Sequence, residues 1–587
     1  MKLVNTAFAV ALALAAAAFP ADAKTLRINV TGDPAMMDPI TYSEIVAGRI
    51  IRNVYEGFTD YTPDGKIINV LAESWTPLAG EDGFRFVLRK NVKFHSGRPF
   101  TAKDVKYTME QLAAPDTKAG LGAGYVANIV GVAAVKAGTT KELAGIKIVD
   151  DHTVEIRFTK PDVLFPIYPI WFMDSGIVAE KGADWVRSVS AGTGPFKFKE
   201  WRRGVHVEIE ANKDYWGGAP KMDGIRFLVI PNGDTALSQY EAGELDFLDV
   251  QESTVRRVMR DASKEKERVV VPRAQSRYLG MNANVYAPFK DKRVREAISM
   301  AINRDAMIRG FYDNAAFQLH GVTTPGVAGY FSDLPKPKYD PEGAKKLLAE
   351  AGYPGGRGLP PIDISCTAVF KDELTYYANE LNRTLGMQVN VNVVERATFI
   401  RGMNAGEIAF FPWGWTSGYP DAMYYLQQMW HSKSPYNRGR WANAKYDALI
   451  DEAVSTVDDQ KRFALYRQAE MVYIEDVGAA PLPMPANIAL IKPNVTNARI
   501  TPFGIRTSCL STSWPAAVTA SATSRVPMEP KSLPSSPALA EMVTLRPASF
   551  SARACAAARR SAALFSSSAR WASNFATLPL VADTALP

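Results

Sequence analysis

The chain has 587 residues, of which 47% are hydrophobic and 22% charged, which is typical of a folded protein with several domains and excludes collagen-like, coiled-coil and wholly disordered chains. Its three cysteines, Cys366, Cys509 and Cys555, form no CxxC pair, which argues against a disulfide framework and a cysteine zinc site. The net charge is +7, but residues 24–506 carry 60 basic and 57 acidic side chains, so no nucleic-acid partner is expected.

The N-terminus predicts a cleavable export signal over residues 1–23. Lys2 supplies a positive start, residues 7–19 form an apolar run of thirteen, and Pro20 ends that run. Residues 21–23 (Ala-Asp-Ala) place small side chains where a signal peptidase cleaves. The run is shorter than the ~20 residues that a membrane-spanning helix needs. We therefore expect an exported protein, and a buried first helix is the less favoured alternative.

The residues that follow predict alternating strands and helices. Phe84, Phe86 and Leu88 alternate with polar residues as in a half-buried strand. Thr101 and Asp104 form a capping-box pattern that indicates the start of a helix. Further on, helices are predicted after Asp291, over 341–351, over 371–385 and over 459–476, and strands over 362–367, 387–394 and 408–413. The order strand–helix–strand–helix–strand over 361–413 favours parallel pairing, so we predict an α/β fold.

No catalytic or metal-binding constellation is evident. The sequence has no GxSxG, GxxxxGK[ST] or HExxH motif and no GxGxxG after a strand. The histidines lack metal-ligand spacing; they are His95, His152, His206, His320 and His431. We therefore expect no catalytic residues, no metal and no cofactor.

The composition changes abruptly after about residue 505. Of the 81 residues in 507–587, 49 are Ala, Ser, Pro or Thr, and the strand and helix patterns disappear. A disordered tail is one interpretation of residues 506–587. Translation in a shifted reading frame is another, and it explains why the change occurs at one point. Under either interpretation this segment is excluded from the fold.

Motifs spread over the body resemble the bacterial extracellular solute-binding proteins of family 5, the peptide, nickel and opine receptors of ABC importers. The matching stretches occur in the family's order: 71–75 (LAESW), 84–97 (FRFVLRKNVKFHSG), 100–105 (FTAKDV), 192–196 (GTGPF), 241–246 (EAGELD), 289–297 (FKDKRVREA) and 447–453 (DALIDEA). The resemblance covers roughly residues 25–505. No single short motif carries it alone.

This resemblance implies a two-lobed periplasmic-binding-protein fold of the large class, with an extra inserted subdomain. Lobe I would comprise 24–270 and 480–505, with the subdomain at about 45–185, and lobe II would comprise 271–479. Two crossing segments, near 271–277 and 477–485, would form the hinge. Solute binding would shift an open state toward a closed state.

The resemblance also implies what the protein does and where. The expected protein is a monomeric, non-enzymatic periplasmic receptor that binds a small organic solute, peptide or peptide-like. It would deliver the solute to ABC permease subunits in the inner membrane, with the ATPase on separate chains. Receptors for nickel chelates, opines or oligosaccharides share the fold and remain alternatives. A sensor or chaperone-like protein without a transport role is a third possibility.

Two segments match positions that line the family's cleft. The first is Tyr42, Ser43 and Glu44, and the second is Trp415, Thr416, Ser417, Gly418 and Tyr419. The family's second segment often carries an Asp that binds a peptide's free amine, and Gly418 stands at that position. A buried ammonium without a carboxylate partner is costly, so the usual amine anchor is in doubt. Glu44 could supply the missing acid, although a solvated glutamate is the favoured interpretation. Asp421 matches a second acid that is expected to be structural.

Overall fold

A computed structural model of the protein describes residues 25–42, 44–62, 65–119, 122–182, 190–496 and 499–506. The predicted export signal, Ser43 and the Ala- and Ser-rich tail fall outside these described residues. Within the described ranges, no helix has both the length and the apolar character needed to span a membrane.

The first large sheet has seven strands within the described residues. Its central strand Thr25–Val30 pairs in parallel with Gly224–Val229 and Phe247–Asp249, and the remaining neighbours pair antiparallel. The helix Ile45–Val54 packs its apolar side into the core of this sheet. From edge to edge the strands are Arg268–Val271, Asn487–Ile491, Phe247–Asp249, Thr25–Val30, Gly224–Val229, His206–Ala211 and Phe196–Arg202.

A four-stranded antiparallel sheet follows the first helix in the chain. It is ordered Ala72–Pro77, Gly83–Leu88, Thr153–Arg157 and Ile146–Asp150. The predicted alternation is confirmed, because Phe84, Phe86 and Leu88 are buried while Arg85 between them is exposed. The predicted capping box is also confirmed: the Asp104 carboxylate accepts a hydrogen bond from the Thr101 amide at 3.0 Å.

The second large sheet contains five strands in the described part of the chain. In order they are Val389–Val393, Ile362–Cys366, Phe410–Thr416, Gln275–Met281 and Ala480–Pro481. The predicted parallel pairing is confirmed, since Ile362–Cys366 runs parallel to both of its neighbours. The third strand was expected to end at residue 413 but continues to Thr416, because residues 414–416 pair with the distant strand Gln275–Met281.

The helices with clear capping signals begin where the sequence predicts. Asp291, Asp340 and Asp458 each accept a hydrogen bond from an amide of the first helical turn. The helices after Ile45–Val54 are Ala102–Ala113, Gly122–Tyr125, Val132–Lys136, Ser175–Lys181, Gly233–Glu241, Val255–Arg260, Lys292–Ala301, Arg304–Gly310, Pro341–Glu350, Lys371–Leu385, Arg396–Ala405, Met423–Tyr425, Ala444–Ser455 and Asp459–Asp476. Short strand pairs complete the described structure: Thr59–Tyr61 with Ile67–Asn69, Ala316–Phe317 with Met484–Pro485, and Arg499–Thr501 with Gly504–Arg506.

Within the described residues, the chain passes between the two large sheets at two places. Strand Arg268–Val271 lies in the seven-stranded sheet, and the next strand, Gln275–Met281, lies in the five-stranded sheet. The return occurs between Ala480–Pro481 and Asn487–Ile491. The protein therefore has the α/β class expected from its sequence, while the lobe and subdomain boundaries given above stay predictions.

Candidate functional site

The candidate site is a cavity of about 560 Å³ where the two large sheets approach each other. One wall comes from the helix Ile45–Val54 and the other from residues 416–418, at the end of strand Phe410–Thr416. Arg273, between the two sheets, lines the same cavity. A volume of this size suits a drug-sized solute.

The helix Ile45–Val54 presents one face to this cavity. The lining residues Ile45, Gly48, Arg49 and Arg52 recur at helical spacing, so they share one side of the helix. The opposite side carries Ile50, Ile51 and Val54 into the core. Just before the helix, the Asp38 carboxylate accepts hydrogen bonds from the Ile40 amide (2.8 Å) and the Thr41 hydroxyl (2.9 Å). This turn places Tyr42 at the cavity wall.

The second wall is fixed by pairing with a distant part of the chain. Thr416 pairs with Gln275, and the Ser417 amide donates to the Ala274 carbonyl at 2.9 Å. The Ser417 hydroxyl donates to the Tyr419 carbonyl at 2.6 Å, which holds the turn through Gly418. Ser417 is buried and Thr416 is exposed.

A smaller cavity of about 180 Å³ adjoins the first. The two share lining residues, among them Arg52, Tyr61, Trp171 and Gly418. The smaller cavity also contacts Glu56, whose carboxylate accepts hydrogen bonds from Thr193, Tyr215 and Trp216. Burial raises the pKa of Glu56 to about 7, against the effect of those donors.

Aromatic side chains form much of the larger cavity's surface. Tyr42 packs against Trp171 with ring centroids 5.0 Å apart, and Tyr61 packs against Phe503 at 4.8 Å. Burial raises the pKa of Tyr42 to about 12, so the phenol is neutral at ordinary pH. The aromatic residues lining this cavity are Tyr42, Tyr61, Tyr125, Trp171, Tyr424 and Phe503.

The charged residues of the larger cavity differ in how they are paired. Arg49 Nη1 lies 2.6 Å from Asp249 Oδ2, and both side chains are largely buried. Arg273 Nε donates instead to the side-chain carbonyl of Asn487 at 3.0 Å. Burial lowers the pKa of Arg273, and the nearby carboxylates of Asp249 and Glu252 only partly oppose this effect.

The predicted site residues fall in several places. Tyr42, Glu44, Thr416, Ser417 and Gly418 line the larger cavity. Tyr419 is buried and lines the smaller cavity together with Gly418. Trp415 lines neither of these two cavities, and Ser43 lies outside the described residues. Participation of these eight residues in solute binding stays a prediction.

The position that lacks the family's acid is closely packed by tyrosines. A Cβ atom added at Gly418 would lie 3.2 Å from the hydroxyl oxygens of both Tyr125 and Tyr424. Glu44 also faces the cavity, and its carboxylate accepts a hydrogen bond from the Ala35 amide. Asp421 is buried and accepts hydrogen bonds from the Met423 amide and the Tyr466 hydroxyl, both at 2.9 Å, as a structural acid would.

Sequence reasoning missed Arg49, Arg52 and Arg273. The first two could have been found from their spacing, because they fall on the same helical face as Ile45 and Gly48. Arg273 gave no local signal. It lines the cavity only because the chain passes between the two large sheets at this point.

Residues 66–437 match the family described as bacterial extracellular solute-binding proteins, family 5 Middle. The match covers more than half of the chain, and the protein belongs to this family. Members of this family bind solutes and are not enzymes.

Individual relatives are similar along most of their length. The chain is 28% identical to the probable deoxycholate-binding periplasmic protein YgiS of Escherichia coli K12, over 80% of this chain and 90% of that protein. It is 27% identical to the glutathione-binding protein GsiB of Salmonella choleraesuis SC-B67, over 84% of this chain and 96% of that protein. Its fold matches the unliganded open form of the periplasmic murein tripeptide binding protein MppA with a TM-score of 0.72 and 24% identity, over 84% of this chain and 97% of that one.

Proposed function

We propose that the protein is a periplasmic receptor that captures a small organic solute, peptide or peptide-like, between two lobes and delivers it to an ABC permease. The observation that carries this proposal is the cavity of about 560 Å³, whose walls come from helix Ile45–Val54 and from residues 416–418. One wall packs on the seven-stranded sheet, and the other lies at the end of a strand of the five-stranded sheet. A solute bound between them therefore stabilises their closed arrangement.

The relatives support a receptor role and leave the solute class open. YgiS is named as a probable binding protein for deoxycholate, a bile acid, and GsiB as a binding protein for glutathione, a peptide. A peptide-like solute and an apolar acid are therefore the two candidates that similarity favours. Both fit the aromatic surface formed by Tyr42, Trp171 and Phe503.

Recovery of the natural solute tests this proposal. Protein taken gently from the periplasm is measured by native mass spectrometry, and the released solute is weighed. Thr416→Trp fills the larger cavity from an exposed position, so this variant is expected to carry no solute. Thr375→Trp, at an exposed position on the helix Lys371–Leu385, is the matched control and is expected to retain it.

Deletion of the gene separates transport from signalling. The proposal expects that uptake of the recovered solute is lost on deletion and restored by the wild-type chain but not by Thr416→Trp. Normal uptake after deletion would contradict the transport role and favour a sensor. Equal solute occupancy in Thr416→Trp and Thr375→Trp would show that the solute binds outside this cavity.

A further inference from the structure

Two arginines that face the larger cavity have no acidic partner in the part of the chain that the structure describes. Arg52 and Arg273 form no ion pair among the described residues, whereas Arg49 is paired with Asp249. Arg52 Nε donates to the Gly48 carbonyl at 3.3 Å. Arg273 donates to the Asn487 side-chain carbonyl at 3.0 Å and to the Ala486 carbonyl at 3.5 Å. Neutral oxygens thus provide the hydrogen bonds, and neither positive charge is neutralised by direct contact.

The surroundings of Arg273 favour an incoming anion. Burial lowers the pKa of Arg273, and the positive charges of Arg49 and Arg277 act in the same direction. An arginine nevertheless keeps its charge in proteins, so removing this guanidinium from water destabilises the folded state. A carboxylate can accept two parallel hydrogen bonds from a guanidinium and would offset that cost.

The opposite wall is unsuited to an ammonium group. Gly418 replaces the acid, and Tyr125 and Tyr424 occupy the space into which a side chain there would extend. Among the acids lining the cavity, Asp249 is paired with Arg49, and Glu44 accepts from a backbone amide. Glu252 is exposed to solvent, where a charge pair contributes little.

We propose that the solute is a carboxylate whose anionic group is bound by Arg273, with Arg52 as a second cation, and whose uncharged body packs on the aromatic wall. No free α-ammonium is needed for binding. This inference rests on the proposed receptor function and narrows its solute class to carboxylic acids, whether or not they carry a free amine.

The test uses one randomised tripeptide library prepared with four combinations of end groups. The N-terminus is free or acetylated, and the C-terminus is a carboxylate or an amide. The wild-type protein is stripped of solute and incubated with all four forms in equal amounts, and retained species are identified by native mass spectrometry. We expect acetylated acids to be retained at least about tenfold better than acetylated amides, and acetylation alone to change retention less than about twofold.

Substitutions assign the effect to the arginines. Arg273→Gln is expected to abolish the preference for acids over amides, and Arg52→Gln to reduce it. Arg309→Gln, at an exposed position on the helix Arg304–Gly310, is the matched control and should keep the full preference. Thermal unfolding of each variant verifies folding, and Arg273→Lys, which keeps the charge without the planar fork, is expected to restore part of the preference.

The contrary outcomes are distinct. Retention that requires a free amine, equal retention of acids and amides, or an unchanged preference in Arg273→Gln would each overturn the inference while leaving a receptor in place. If the wild type retains no library member but releases a non-acidic natural solute, the inference also fails and the receptor role stands. Failure to bind any library member or natural solute would overturn both.

Discussion

Arg273 and Arg277 are four residues apart, yet their surroundings differ. Arg277 is buried and contacts Glu373 at 2.7 Å, the Tyr312 hydroxyl at 2.9 Å and the Pro483 carbonyl at 2.9 Å. Burial disfavours its charge, but Glu373, together with Tyr312 and Tyr377, outweighs that effect, and the pKa of Arg277 is raised. Arg273 faces the cavity, and its pKa is lowered by burial.

This difference separates a structural arginine from a candidate binding arginine. The interior neutralises Arg277 with a carboxylate of its own, as buried charges require. Beside the cavity, Arg273 has no carboxylate in direct contact among the described residues, and a solute can supply one. An incompletely compensated charge next to a cavity is therefore informative about the solute.

The largest expected effect is on the free energy of unfolding, and it comes from breaking the buried ion pair between Arg277 and Glu373. Glu373→Ala leaves Arg277 buried without its carboxylate, and we expect the free energy of unfolding to fall by about 3–5 kcal/mol. Urea denaturation measures this change. Glu380→Ala on the same helix removes a partner of the exposed Arg383 and should have a much smaller effect. Similar losses of stability in Glu373→Ala and Glu380→Ala would contradict the distinction between the buried pair of Arg277 and an exposed ion pair.

The second prediction concerns pH and the buried carboxyl of Glu56. Its pKa is raised from 4.5 to about 7 in the folded protein, mainly by burial. Between these values the native state holds one more proton than the unfolded state, so stability falls as pH rises. At about 1.4 kcal/mol per pKa unit the loss approaches about 3 kcal/mol.

Urea denaturation at a series of pH values between 4 and 8 measures this loss. The side chain introduced by Glu56→Gln cannot titrate. This variant should therefore lose most of the fall in stability that Glu56 causes as pH rises, whatever its effect on absolute stability. Glu452→Gln, at an exposed position, is the control and should keep the wild-type slope. Identical slopes in the wild type and Glu56→Gln would show that folding does not raise the pKa of Glu56.

The third prediction tests the glycine that replaces the family's acid. Gly418→Asp places a Cβ atom 3.2 Å from the Tyr125 and Tyr424 hydroxyls, and overpacking of this kind costs about 1–3 kcal/mol. We also expect weaker retention of carboxylate solutes, because the new charge lies on the wall of the same cavity as Arg273. Calorimetric titration with the recovered solute measures this effect. Tighter binding of acids would contradict the assignment.

Local signals explain how much of the fold could be predicted. The helices Lys371–Leu385 and Asp459–Asp476 have the predicted bounds, because their ends depend on residues close in sequence. The strand Phe410–Thr416 ends later than predicted because its last residues pair with Gln275 and Ser276, more than a hundred residues away. Pairing across such a distance leaves no mark in the local pattern.

The candidate site was less predictable for the same reason. The resemblance directed attention to residues 415–419, and Thr416, Ser417 and Gly418 do line the larger cavity. It placed Arg273 in the expected hinge segment, 271–277, but not in the solute site, and the hydrogen bond from Arg273 to Asn487 joins residues 214 positions apart. Whether an arginine has a carboxylate partner depends on the assembled fold and not on its neighbours in the chain.

The smallest expected effect distinguishes Trp415 from the residues that line the cavity. Its ring centroid lies 4.9 Å from that of Tyr436 and 6.4 Å from that of Tyr424, and Trp415 lines neither described cavity. Trp415→Phe should therefore change the affinity for the recovered solute less than about twofold, which is below about 0.5 kcal/mol. Trp171→Phe, which alters a residue common to both cavities, should weaken binding more. If the Trp415 variant binds more weakly than the Trp171 variant, the solute contacts Trp415 directly, and the closed state must bring this side chain into the site.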